Sequence, residues 1–247
     1  MNRIFHICLF LLIGATPLIG MANDGRIKLA AGDFPLTISE SGSYVLVESV
    51  EVTESVAGAV IVVNADHVTI DLNGHALIWA DEHSMVDGIV QSGGVGLRVG
   101  NGSLHQFNRA IVAGAVSRLD HVRMNYVRQV VAAGEGSMIR QVQAFGIYPE
   151  TIPVIDLGDA CQIADVQLFD IESEFSLPPV LIQTGEATRA QRLRVSVVEI
   201  IDVDGPGLSI ASFGAGSIVD EVEFVQIMHS GSTITAIEID RGILANA

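Results

Sequence analysis

Lysine, tryptophan and cysteine are nearly missing from this chain: there is one lysine, Lys28, one tryptophan, Trp79, and two cysteines, Cys8 and Cys161. Positive charge is scarce altogether, with 13 Lys and Arg against 29 Asp and Glu and a formal net charge of -16, so no nucleic acid is expected as a partner. Cys8 lies in an N-terminal stretch expected to be removed, which leaves Cys161 without a partner. No intramolecular disulfide then staples the fold, and its stability must come from packing. Aromatic residues make up only 5% of the chain, so broad stacking platforms should be sparse. Long apolar runs are lacking too. The longest, Ile4 to Ile19, is broken by His6, Gly14 and Pro17 and is shorter than the roughly 20 residues a membrane span needs. With Arg3 ahead of it and the small residues Gly20 and Ala22 behind it, it has the anatomy of an export signal. We expect residues 1–22 to be a signal peptide and residues 23–247 to form one domain. The product should be periplasmic or extracellular and not embedded in a membrane.

What is present is apolar and periodic. The chain is 49% hydrophobic and 17% charged, enough to fill a core and too apolar for a disordered chain. From Ala65 to Leu77, apolar and polar residues alternate for a strand's length and turn at Asn73-Gly74. The apolar spacing i, i+3, i+5 of Ala65, Val68 and Ile70 recurs as Leu119, Val122, Met124 and as Ile139, Val142, Ala144. It continues as Ile163, Val166, Leu168, then Ala190, Leu193, Val195, then Val219, Val222, Phe224. Each unit carries a second apolar run, at Val130-Val131, Val154 to Leu157, Val180 to Ile182, Leu208 to Ile210 and Ile237 to Ile239. Glycine and alanine clusters at Ala132 to Gly136, Gly158 to Ala160, Gly185 to Ala187 and Gly214 to Gly216 mark corners. No helical periodicity is sustained.

Short strands at this density fit an antiparallel sandwich or a parallel solenoid. The same unit returns in the same polarity, so like positions stack on like, and this favours the solenoid. The expected fold is all-β: a single right-handed parallel β-helix, with about 24 residues per coil and roughly nine coils. Val68, Ile70, Val122, Met124, Val142, Val166, Leu168, Leu193, Val195, Val222 and Phe224 should point inward.

Three segments carry a resemblance: Phe34-Pro-Leu-Thr-Ile-Ser-Glu-Ser-Gly-Ser-Tyr-Val-Leu, Asp66-His-Val-Thr-Ile-Asp-Leu-Asn-Gly-His and Gly100-Asn-Gly-Ser-Leu-His-Gln-Phe. They resemble the opening coils of secreted bacterial right-handed parallel β-helix proteins of the pectate-lyase-like superfamily, and cover the N-terminal third. The resemblance implies the fold. It also implies an outer face along which such proteins bind polysaccharide, but it carries no catalytic signature, and fold is not function.

Two stacked columns of polar residues should lie on that outer face. One is Thr69, Arg98, Arg123, Gln143, Gln167, Arg194 and Glu223; the other is His67, Gly96, His121, Gln141, Asp165, Arg192 and Glu221. The most polar part, Arg123, Gln143, Asp165, Gln167, Arg192 and Arg194, is the expected ligand-binding surface, with Asp165 and Arg192 one coil apart as a surface ion pair. A lyase of the family would need several carboxylates around calcium beside a base. The nearest carboxylate pairs, Asp156 with Asp159 and Asp202 with Asp204, do not resemble a calcium loop closely, so no metal site and no cofactor are expected, with calcium the one ion left open. His67, His75, His83, His105, His121 and His229 show no metal-ligand spacing and read as polar surface residues. Cys161 reads as a buried small hydrophobe. Asn101-Gly102-Ser103 reads as a turn in which Gly102 takes positive φ. Two classes of function stay open: a non-catalytic carbohydrate-contacting or surface-interaction module, and a polysaccharide lyase or glycoside hydrolase.

Overall fold

The structure is a computed structural model that describes residues 25–53, 56, 58–81, 85–149, 152–173, 180–200, 208–229, 234–239 and 243–246. The expected signal, 1–22, lies outside the described residues. The described residues open with β1 (Ile27–Leu29), a 3-10 turn at Ala31–Asp33, β2 (Leu36–Ile38), β3 (Gly42–Leu46), β4 (Val50–Val52) and β5 (Ala59–Val63). Next come β6 (Val68–Asp71), β7 (Ala76–Trp79) and β8 (Asp87–Gln91). From there long and short strands alternate: β9 (Arg98–His105), β10 (Arg109–Ala113), β11 (Arg118–Val127), β12 (Gln129–Ala133), β13 (Met138–Ile147) and β14 (Ile155–Leu157). The series ends with β15 (Gln162–Ser173), β16 (Val180–Thr184), β17 (Arg189–Ile200), β18 (Leu208–Phe213), β19 (Ile218–His229), β20 (Ile234–Ile239) and β21 (Ile243–Asn246).

Every pairing among the described residues is parallel, and the strands sort into two sheets. One runs β1-β3-β6-β9-β11-β13-β15-β17-β19-β21, with β4 and β7 beside it; the other runs β2-β5-β8-β10-β12-β14-β16-β18-β20. Each coil contributes one strand to each sheet, which makes a parallel β-solenoid whose nine-stranded sheet matches the expected number of coils. The core lies between the sheets. The first apolar runs stack in register as Leu119, Ile139, Ile163, Ala190, Val219, and the second as Val131, Ile155, Ile182, Ala211, Ile237. All the residues expected inward are buried, at 8% exposure or less, except that the side chain of Phe224 lies outside the described residues. Each fully buried Val or Leu contributes about 1.5–3 kcal/mol relative to exposure, and the coils share these contacts.

Single residues in the left-handed region turn the chain from face to face. One bend column is His67, Gly96, Val116, Gly136, Ala160, Ala187 and Gly216; a second is Asn101, His121, Gln141, Asp165, Arg192 and Glu221. At the first, the bend N–H reaches the next coil, as Val116 to the Glu135 carbonyl at 2.8 Å and Gly136 to that of Asp159 at 2.8 Å. An L-residue can stay in this conformation because the ladder over-determines it. Just inside this bend runs a buried column, Ser117, Ser137, Cys161, Thr188 and Ser217, which serves the turn's backbone. Ser117 Oγ donates to the Gly114 carbonyl at 2.8 Å, and Cys161 Sγ to that of Gly134 at 3.4 Å. Cys161 is buried, as expected, but it occupies a hydroxyl's place in this column. Burial pushes its thiol pKa up.

The sequence expectation is out of phase in the early coils. Ile70, not Ala65, is in register with Val99 and Leu119, so Thr69 and Arg98 stack with Arg118 rather than with Arg123. His67 and Gly96 belong to the first bend column, not to the one holding His121 and Asp165. The cause is the Asn73-Gly74 turn, which splits the strand opposite β9: β6 pairs with the first half of β9, and β7 with the second. A single residue, Asn101 at φ 59°, makes the corresponding bend in the next coil. Gly102 therefore does not take positive φ; it is needed because a Cβ there would run into Leu72 and the His75 carbonyl.

Candidate functional site

Strand alternation decides which side chains leave the core. In the long strands one outward position stacks coil on coil as Ser103, Arg123, Gln143, Gln167, Arg194 and Glu223, and from Arg123 to Arg194 it lies between two buried residues. Beside it runs the second bend column. The two enclose an open groove of about 620 Å³ lined by Gly74, Gly102, Ser103, His121, Arg123, Gln141, Gln143, Asp165 and Gln167. A shallower continuation of about 470 Å³ is lined by Gln167, Arg192, Arg194, Glu221 and Glu223, with Leu193 and Val222 at its base. All six residues singled out from the sequence thus line one continuous surface. Arg123, Gln143, Asp165 and Gln167 fall in the main groove, while Arg192 and Arg194 fall in its extension.

The groove is mostly amide and guanidinium. Gln143 Nε2 donates to Gln167 Oε1 at 3.2 Å, so the amides of adjacent coils form a ladder. Among the described residues Asp165 is the one carboxylate lining the main groove. The Arg192 guanidinium grips it with two hydrogen bonds, Nη2 to Oδ2 at 2.8 Å and Nε to Oδ1, and holds its pKa below the usual carboxylate range. Arg194 Nε lies 3.4 Å from Glu223 Oε2. Arg123 forms no ion pair with any described residue.

A further outward column escaped the sequence reading. Two residues beyond the first column on the same strands stand His105, Asn125, Phe145 and Phe169, in register, and the next position, Ser196, is buried. Phe145 is 49% exposed, so an aromatic face lies beside the Gln143-Gln167 ladder although aromatics are rare in the chain. His105 Nε2 sits 2.9 Å from Ser103 Oγ, and its Nδ1 lies 3.3 Å from Asn125 Nδ2. Burial lowers the His105 pKa. The signal was available in the repeated i, i+2 outward pairs, Ser103 with His105, Arg123 with Asn125, Gln143 with Phe145 and Gln167 with Phe169.

Among the described residues no three His, Cys, Asp or Glu converge to hold a metal ion. Asp156 lies on β14 in the other sheet, while Asp159 sits at the first bend and accepts from the Glu186 backbone N–H at 2.8 Å. Asp202, Asp204 and His83 lie outside the described residues, as does the side chain of His229. His121 Nδ1 is 3.0 Å from Asp120 Oδ1.

Set against known proteins, the chain matches no family model, no curated protein and no solved structure. What the fold and the groove define is a class: a parallel β-solenoid with a polar groove along one outer sheet.

Proposed function

We propose that the protein is an exported β-helix of the pectate-lyase-like kind that contacts polysaccharide along this groove without cutting the glycan backbone. One observation carries the reading. Arg123, Gln143, Gln167 and Arg194 project from four adjacent coils at the strand spacing of about 4.8 Å, with the exposed Phe145 alongside. Long polar side chains on a fixed pitch suit a ligand that repeats, and a phenyl face suits the apolar face of a pyranose ring.

The carboxylate inventory supports contact over cleavage. Glycosidases flank the scissile bond with two carboxyl groups about 5–9.5 Å apart, and calcium-dependent lyases gather several. Among the described residues Asp165 is the one carboxylate lining the main groove, and Arg192 already holds it; the extension adds Glu221 and Glu223, the latter 3.4 Å from Arg194 Nε. Export rests on the residues 1–22 described above, and the family on the three N-terminal segments.

The test is to run the protein in affinity gels containing neutral or acidic polysaccharides, with and without calcium, while assaying new reducing ends. Retardation that is lost in a Gln143→Ala, Gln167→Ala double variant, with no new ends, is the expected result. New chain ends would replace this reading with a lyase or hydrolase, and absence of retardation throughout would remove the glycan.

A further inference from the structure

We propose that Ser103, His105, Asn125 and Arg123 form a serine-dependent acyl-transfer site at the end of the groove, which hydrolyses esters. They occupy a two-by-two block on adjacent strands, with Ser103 and His105 on β9 directly across from Arg123 and Asn125 on β11. The block meets the geometric signature of an activated nucleophile: a hydroxyl within hydrogen-bond reach of a base, and a third group that orients the base. Ser103 Oγ is 2.9 Å from His105 Nε2. The Asn125 amide is 3.3 Å from His105 Nδ1. With that amide turned by half a rotation, Oδ1 accepts from Nδ1–H and leaves Nε2 as the acceptor for the Ser103 proton. Ser103 and Arg123 both line the groove, so a bound ester reaches the nucleophile from solvent. Burial disfavours the charged imidazole, which keeps the base in its neutral form near neutral pH.

The chemistry closes with water as the only co-reactant. Ser103 Oγ forms a bond to the ester carbonyl carbon as its proton passes to His105 Nε2. The carbonyl electron pair moves onto oxygen, where the Arg123 guanidinium, without an ion-pair partner among the described residues, balances the charge. On collapse the C–O bond to the alcohol breaks, the alcohol leaves with the His105 proton, and Ser103 is acylated. Water then attacks the acyl carbon while His105 takes its proton, and that proton returns to Ser103 Oγ as the carboxylic acid departs. Asn125 is a positioning residue, since it acts through His105.

The chemical class is an ester of a hydroxyl compound. That the alcohol is a sugar hydroxyl rests on the glycan reading above; the acyl chemistry does not. A glycan held by its backbone, with ester substituents directed at Ser103, would use both features at once.

The experiment treats the protein with a fluorophosphonate probe and maps the adduct by peptide mass. In parallel, acid release from 4-nitrophenyl acetate and from an O-acetylated polysaccharide is measured. Expected are an adduct on Ser103, loss of both adduct and hydrolysis in Ser103→Ala, and a fall of about 10²-fold or more in His105→Ala. Asn125→Asp, which can only accept from Nδ1–H, keeps acid release, whereas Asn125→Leu lowers it at least about tenfold with an unchanged melting curve. A merely structural Asn125 would not separate these two variants. No adduct on Ser103, or hydrolysis equal in wild type and Ser103→Ala, overturns the proposal. Gel retardation and probe labelling of the wild-type protein, read together, separate the two readings. Retardation without labelling sinks the acyl site alone, and labelling without retardation sinks the glycan groove alone.

Discussion

Asp165 and Arg192, one coil apart in the same bend column, form the ion pair at which the two parts of the groove meet. Asp165 lines the main part, Arg192 lines the extension, and Gln167 lines both. The pair therefore stands where a ligand spanning both parts would cross, and its charges are as much a property of the groove as of the fold.

Asp165→Asn removes the carboxylate and frees Arg192. Because the pair is exposed, the melting temperature at neutral pH should stay nearly where it was. The folded-state pKa of Asp165 is depressed, so whatever stability it adds is present above its ordinary 3.8 and is lost as pH falls through the lower folded value. At neutral pH the change should appear in ligand preference instead: retardation of acidic polysaccharides in affinity gels rises relative to neutral ones. Equal shifts for both would show that the charge of this pair does not face the ligand.

Val166→Asp places a carboxyl at a site with 0% exposure, between Val142 and Leu193 on the neighbouring coils. Burying an unpaired charge costs several kcal/mol, so thermal unfolding should shift down by many degrees in one concerted step. Unchanged unfolding would argue against the shared core.

Val116 is a β-branched residue at φ 58° with a 65% exposed side chain. The left-handed conformation costs an ordinary L-residue about 1–2 kcal/mol, and asparagine tolerates it far better. Val116→Asn keeps the N–H that bonds the Glu135 carbonyl and should raise stability by about 1 kcal/mol in denaturant titration. A loss would mean that the valine methyls pack on a neighbour that repays the strain.

His105 should make stability depend on pH. The groups that face it are Ser103 on its own strand, Asn125 from β11 and Ile78 from β7, and no charged group adds to the effect of burial. Desolvation depresses its folded pKa below the ordinary 6.5, so above that value both folded and unfolded chains carry it neutral and its contribution is flat. As pH drops through 6.5 toward the folded value, the unfolded chain takes up the proton first and stability declines. His105→Gln should flatten that part of the curve in chemical denaturation between about pH 7 and pH 5, and an identical slope in both proteins would assign it to other groups.

Much of the architecture could be read from residue order because a strand obeys a period of two and a solenoid repeats its units. Leu119, Ile139, Ile163, Ala190 and Val219 were aligned by spacing alone, and the hydrogen-bonded register agrees. The early coils were less legible. Asn73-Gly74 looks like Asn101-Gly102 in sequence, yet one is a two-residue turn between strands, while in the other Asn101 alone bends the chain inside β9. The groove residues were found because they lie between buried pairs. His105, Asn125, Phe145 and Phe169 were missed because their significance arises only when different coils are laid side by side, which spacing along a single strand does not reveal.

Coil length and coil pitch are separate quantities here. Neighbouring positions in the stack are 20 residues apart at Ser117 and Ser137, 24 at Gln143 and Gln167, 27 at Asp165 and Arg192, and 29 at Thr188 and Ser217. The added residues fall in the excursions between strands, while the outward columns keep the rise fixed by backbone hydrogen bonding. The face therefore behaves as a ruler whose graduations do not depend on how much chain is wound between them. Segments can be inserted or shortened between the strands without moving one graduation relative to the next.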